Sequence, residues 1–264
     1  MARTISKHLL YFLVTGLMGS VLFWCPVVWA QNGPTVAEAL ARAQEAKLPE
    51  PVTIHVLAMA LDAGFERTAA ARILIVLADA HQRNFSLEPF QERIAEGVAK
   101  RIAGTRIALA LEERLDRQVL VGEQLRRANA SNGSAYQMAV ISLTDGLEMG
   151  LTADEVDTLI RRTGNAPVAM TGVAGEMWAL LTPLAFDPAL TEHFISVGFA
   201  QRSLNAAWRN FPQIVVIARR KGVPDHEIGA EALKGLRSGG APADLLTRLG
   251  FTGRDLKTGP MGIH

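Results

Sequence analysis

The chain has 264 residues, 27 of them basic and 26 acidic, for a net charge of +1, so it carries no electrostatic footprint for nucleic acid or an anionic lipid surface. Its single cysteine, Cys25, excludes a disulfide framework, while a hydrophobic fraction of 49% is ample for a packed core. Aromatic residues make up only 6%, which makes any local concentration of them informative.

Residues 1–30 read as a targeting segment. Arg3 and Lys7 form a basic start, residues 9–29 are uncharged, and Val28 and Ala30 stand at the minus-three and minus-one positions of a cleavage site that would leave Gln31 as the new N-terminus. The uncharged run is longer than an ordinary signal core and long enough to cross a bilayer, so an uncleaved membrane anchor is the competing reading. Trp24 stands before Cys25 where a small residue would be needed, which argues against a lipid-bearing cysteine. Cleavage would remove two bases and no acid, shifting the charge to −1, and would leave a chain without cysteine. Export without disulfides, in an alanine-rich chain, points to a bacterial periplasm.

From residue 47 onward one piece of punctuation recurs. A helix-ending residue is followed by an apolar residue, a capping or kinking residue, and a further apolar residue. It appears at Lys47, Gly64, Asn84, Arg101, Gly150, Gly222 and Gly240. Glycine and asparagine tolerate the left-handed conformation that closes a helix, and the apolar residue after them can pack back on the finished helix and forward on the next. Leu151 with Val156, Phe85 with Phe90 and Val223 with Ile228 have the separation of such a staple. Thr152 and Ser86 fall at the N-cap, and Glu155 completes a capping box with Thr152. Leu48 to Phe85 and Phe65 to Ile102 are both 37 residues apart, the length range of helical-repeat units, although later copies fall out of phase.

Taken in order, Thr35 caps a helix to about residue 46, and residues 52–63, apolar nearly all round except for His55, predict a buried helix. Residues 68–83 predict another, with I-L-I-V-L at 73–77. From Thr105 an amphipathic helix places Ile107, Leu111, Leu115 and Val119 on one side and Glu112, Glu113, Arg114, Asp116 and Arg117 on a solvated face. It ends near N-A-S-N-G-S at 129–134, a candidate boundary between a helical-hairpin region (31–128) and a second helical region (135–251). Residues 140–149 and 152–162 form the next pair. Three glycines and a proline argue against a continuous helix over 163–175. Asp187 and Pro188 start a helix reaching residue 197, followed by helices over 200–210, 214–221, 228–236 and 243–249, and residues 252–264 read as a flexible tail.

Chemistry is harder to find. D-H-E-I-G-A-E at Asp225 lacks the second histidine of a zinc protease, the histidines are scattered, and no serine-nucleophile, Walker or dinucleotide motif occurs. Glu96 and Lys100 form an i,i+4 pair around Gly97. The one compositional anomaly is residues 170–211, with Met170, Met177, Trp178, Phe186, Phe194, Phe199, Trp208 and Phe211. These read first as core, and otherwise as a methionine and aromatic groove for an apolar ligand or partner helix, with Met170, Met177, Trp178, Phe194 and Trp208 as its binding residues.

The expected fold is all-α, an array of antiparallel helical hairpins in the form of an irregular α-solenoid or helical bundle, which resembles helical-repeat proteins in architecture alone. The expected function is a non-enzymatic envelope interaction or scaffold module with a protein partner, no cofactor, no catalytic residue, no metal and no nucleic acid, touching a membrane only through residues 1–30 if they are retained. The alternatives are a periplasmic binding protein for an apolar small molecule and an enzyme whose carboxylates converge only in the fold. Scaffold and binder differ in a checkable way. A binder lines a pocket with Trp178 and Phe194; a scaffold buries those rings and leaves apolar surface elsewhere.

Overall fold

A computed structural model describes residues 33–128, 130, 133–164 and 166–251. The N-terminal segment, Asn129, Ser131 and Asn132 of the candidate boundary, and the tail beyond residue 251 lie outside the described residues. The described part holds twelve α-helices and one 3-10 helix, and no strand. The helices are α1 (Val36–Glu45), α2 (Glu50–Asp62), α3 (Arg67–Gln82), α4 (Glu88–Ala99), α5 (Gly104–Arg127), α6 (Ser134–Glu148), α7 (Ala153–Thr163), α8 (Val168–Leu181), α9 (Pro188–Ala200), α10 (Phe211–Arg220), α11 (Asp225–Ser238) and α12 (Ala243–Arg248), with the 3-10 turn at Ala206–Asn210.

The corners follow one construction. At the close of α1, α2, α3 and α4 a residue with positive φ (Lys47 at 55°, Gly64 at 67°, Asn84 at 59°, Arg101 at 55°) precedes an apolar residue whose N–H donates five residues back, Leu48 to the Ala43 carbonyl, Phe65 to Ala60, Phe85 to Ala80 and Ile102 to Gly97. This double closure satisfies the last carbonyls of each helix. The acceptor is alanine or glycine each time, and a small side chain there leaves room for the apolar residue to fold back. At Gly146 a Cβ would lie 2.8 Å from Leu151 Cδ1. Gly150 and Gly222 close α6 and α10 in the same way. The glycine after α11 differs from expectation, since Gly239 and not Gly240 takes the left-handed conformation, with the Gly240 N–H donating to the Gly235 carbonyl.

Capping chemistry is equally local. Thr35 with Glu38 and Thr152 with Glu155 form complete capping boxes, and the Asp187 carboxylate accepts from the Ala189 and Leu190 N–H groups ahead of Pro188. Ser86 is not a cap: α4 starts later, with Leu87 at the N-cap and Pro89 in the first turn. The expected helix over 200–210 is instead the end of α9, a left-handed corner at Arg202, and a 3-10 turn that Asn205 starts by accepting from the Ala207 N–H.

α1 lies along α3 and α3 along α5, with α2 packed on α3 and α4 on α5. α5 packs on α6, and α6 runs against α8 in the closest helix pairing of the molecule. α8 is also touched by α7, α9, α10 and the 3-10 turn, so it is the central helix of the second half. A single cluster of buried apolar side chains runs from Ala39 to Phe251.

The break expected over 163–175 falls between α7 and α8, so no continuous helix runs through it, but Gly172 and Gly175, which count toward it in the sequence, sit inside α8. A Cβ on Gly172 would lie 3.1 Å from the Ala139 Cα, and one on Gly175 2.4 Å from Leu143 Cδ2, so the missing side chains are what allow α8 to approach α6. Conversely, α2 is not a buried helix. Only Val56 and Ala60 are buried, His55 is exposed, and Ile54 and Leu61 are 59% and 80% exposed.

Candidate functional site

The aromatic residues of 170–211 are positioned by α8, α9, the 3-10 turn and the start of α10. Phe194 and Phe211 stack at 4.8 Å between centroids with an 8° interplanar angle, Trp208 meets Phe194 edge-on at 5.1 Å, and Phe186 meets Phe211 edge-on at 5.8 Å. These are favourable ring geometries between buried partners. Met170, Met177, Phe194 and Trp208 are buried and Trp178 is half-buried. The structure therefore brings Phe194 and Trp208 together with Phe186 and Phe211, ring against ring, while Met170, Met177 and Trp178 follow α8.

Arg219 locks one side of this cluster. Its Nε and Nη2 donate to the two Asp225 oxygens at 2.8 and 2.6 Å, Nη1 donates to the Leu184 carbonyl, Nη2 also donates to the Ala185 carbonyl at 3.2 Å, and the guanidinium lies 5.9 Å from the centre of the Phe186 ring. The Arg219 hydrogen bonds hold the Asp225 carboxyl below the usual carboxylate range. Ala185, at φ 48°, occupies the corner between α8 and α9, and the arginine holds that corner from outside.

Three surface grooves stand apart from the aromatic cluster, and none is lined by Met170, Met177, Trp178, Phe194 or Trp208. The largest, about 630 Å3, runs between the end of α2 and the start of α5, with Phe65, Val98 and Ile102 among its apolar walls and Asp62, Glu66 and Arg101 among its charged ones. A second, about 400 Å3, continues on the other side of Ile102 toward Gly97, Lys100, Arg106 and Ala110. A third, about 480 Å3, lies at the α7 and α9 ends between Arg162 and Arg202. Ile102 is shared by the first two and is 37% exposed, with Leu109 50% exposed on the next helix.

The titratable groups that converge are structural in their geometry. Arg114, expected on the solvated face of α5, is buried, donating to Asp145 at 2.8 Å and Glu148 at 2.7 Å, and Arg93 reaches Glu148 from α4. One ion-pair network thus ties α4, α5 and α6. Burial pushes the Glu176 carboxyl up, opposed by Arg209 at 2.9 Å and reinforced by the charge of Asp145. Glu176 has no nucleophile or base among its recorded partners, His193 is exposed, and no group of three metal-ligating side chains occurs among the described residues. Glu96 and Lys100 pair as the spacing predicts, at 2.5 Å, and the space beside Gly97 is filled by the Ile107 side chain.

Gln118, fully buried on α5, has no hydrogen-bond partner for either amide atom among the described residues. Leaving a buried amide unsatisfied costs about 1–3 kcal/mol. We therefore expect Gln118→Met to raise the melting temperature by about 2–4 °C or more, since each kcal/mol shifts a domain of this size by roughly that amount. A fall in Tm on calorimetry would show that the amide is engaged. Arg114 and Gln118 lie on the same stripe as Ile107, Leu111, Val121 and Leu125, so the spacing i, i+3, i+4, i+7 carried the signal that both are inward.

Compared with protein-family models, curated proteins and solved structures, the chain matches none.

Proposed function

We propose that the chain is an exported, non-enzymatic interaction module, an irregular array of antiparallel helical hairpins that binds a protein partner of the bacterial cell envelope through the paired grooves around Ile102. The carrying observation is that Phe194 and Trp208 are buried, while Phe65 and Ile102 are partly open in the walls of a groove between α2 and α5. The hairpin reading is supported by the 37-residue step, which recurs in the left-handed corners and in the Arg42–Asp79 ion pair, 37 residues apart at 2.6 Å, between α1 and α3. Grooves that mix apolar wall residues with Asp62, Glu66 and Arg101 in the first and Arg106 in the second suit a polypeptide segment that places an apolar side chain among charges of both signs. Arg101 occupies a left-handed corner of the kind that α2, α6 and α10 end with glycine, at a cost of about 1 kcal/mol, which favours a use for its side chain.

The test is site-specific photo-crosslinking in envelope preparations. A photoreactive residue at Ile102 is expected to give one discrete adduct, lost on Arg101→Glu, with none from a probe at exposed Lys234. Equal or absent adducts at both positions would remove this reading.

A further inference from the structure

The outward face of α2 is an anomaly of another kind. Pro51, Ile54, Ala58 and Leu61 are all exposed and follow each other at steps of three, four and three residues, so they form one straight stripe along the helix. Between Glu50 and Asp62 the helix has no Asp, Glu, Lys or Arg, and exposed His55 is the one titratable group beside the stripe. α4, the next helix on the same side, shows water Glu92, Arg93 and Glu96 instead. A helix face that meets water is ordinarily polar, and the outward face of α2 is not.

The position of α2 relative to the chain's entry says what covers it. Gly33 lies against Thr68 in the first turn of α3, where a Cβ would be 3.5 Å from the Thr68 Cγ2. The Phe65 N–H bond to the Ala60 carbonyl folds the last turn of α2 directly onto that start, so the chain enters the fold at the Leu61 end of the stripe. Upstream, residues 9–29 carry no charge, follow Arg3 and Lys7, and end on Trp29, the sequence of a span with its basic end inside and an aromatic residue at the far interface. Residues 30–32 are all that separate Trp29 from Gly33, and four extended steps reach at most about 15 Å. If residues 9–29 stay in a bilayer, a tether that short would hold the Leu61 end of α2 near the lipid surface, where even a weak interfacial preference is enforced by proximity.

We propose that Pro51, Ile54, Ala58 and Leu61 of α2 rest in the headgroup region of the bilayer that residues 9–29 cross. The inference rests on retention of the N-terminal segment and is independent of any partner at Ile102. Because α2 presents no lysine or arginine, the surface it suits is zwitterionic.

The test uses the full chain with Cys25→Ala, reconstituted into phosphatidylcholine vesicles. An environment-sensitive fluorophore on Leu61→Cys is expected to emit blue-shifted and to be quenched by doxyl-labelled lipid several-fold more than the same label on Lys234→Cys. Adding Ile54→Asp should return the label at 61 toward the value at 234 while the chain still floats with the vesicles; this separates the α2 contact from the span and from attraction by the dye. The proposal is overturned by a label at 61 as open to water as that at 234, by 61-to-61 cross-links between copies in place of lipid quenching, or by recovery from cells of a soluble chain beginning at Gln31. None of these results moves the Ile102 adduct, so the two readings fail separately.

Discussion

Gly172→Leu is expected to destabilise the fold by about 3 kcal/mol or more, a large share of the 5–15 kcal/mol that holds a typical domain together. Gly172 faces α6, where a Cβ would lie 3.1 Å from the Ala139 Cα and 3.4 Å from the Ser142 Cβ. A Cβ there already crowds backbone that cannot rotate away, and leucine adds three further carbons, so α6 and α8 must separate along the most extensive helix pairing of the described residues. Gly175 supplies the internal comparison. Its Cβ would meet Leu143 Cδ2 at 2.4 Å, the far end of a side chain that can rotate, so Gly175→Ala should cost far less, offset in part by the better helix propensity of alanine. Denaturant unfolding of the two variants should give a large drop in midpoint for the first and a small change for the second. Equal midpoints would mean that α6 and α8 are not in this register.

Trp208→Ala is the second large effect, about 3–5 kcal/mol. The indole is fully buried, meets the Phe194 ring at 5.1 Å between centroids, and lies where a Cβ on Gly235 would be 3.2 Å from its Cη2, so three elements lean on one ring. Its removal leaves a cavity that the stacked Phe194 and Phe211 cannot fill. The result also separates two readings of the aromatic segment. A preformed ligand groove would lose one wall and little stability, whereas a packed cluster loses cooperativity of unfolding together with its near-ultraviolet circular dichroism. A Trp208→Ala variant as stable as the parent would return residues 170–211 to consideration as a binding site.

What could be read from the amino-acid order was the set of corners. Gly64, Asn84, Gly150 and Gly222 take the left-handed conformation expected of them, and Lys47 and Arg101, marked by the sequence only as helix ends, take it as well, because an apolar residue after a helix end and a cap after that is a local code whose energetics do not depend on distant packing. The corners at Ala185 and Arg202 were not legible. Alanine and arginine have no preference for positive φ, and Ser203 stands where the apolar residue would be. Ala185 is held by the Arg219 clamp, a partner more than thirty residues away.

Burial was the other illegible quantity. α2 and α8 are both apolar nearly all round, and periodicity treats them alike, yet α8 has neighbours on every side and α2 on only one. The same limit misread Gly172 and Gly175 as helix breakers, since a glycine that ends a helix and one that admits a neighbour look identical until the neighbour is known. Of the residues singled out for binding, nothing in the order of amino acids tells that Phe194 and Trp208 face Phe211, and Ile102, the centre of the grooves, stands out only as part of a corner.

The helix closures have a kinetic consequence. The reversals after α1, α2, α3, α4, α6 and α10 are completed by hydrogen bonds that span at most five residues, between a small acceptor and the residue that folds over it. The direction of the chain is therefore decided before any distant pairing exists, and the entropy of bringing successive rods side by side is that of closing very short loops. A chain assembled this way should refold quickly for its length, with rates limited by docking of the α6 and α8 pair and little sensitivity to substitutions at the corners themselves.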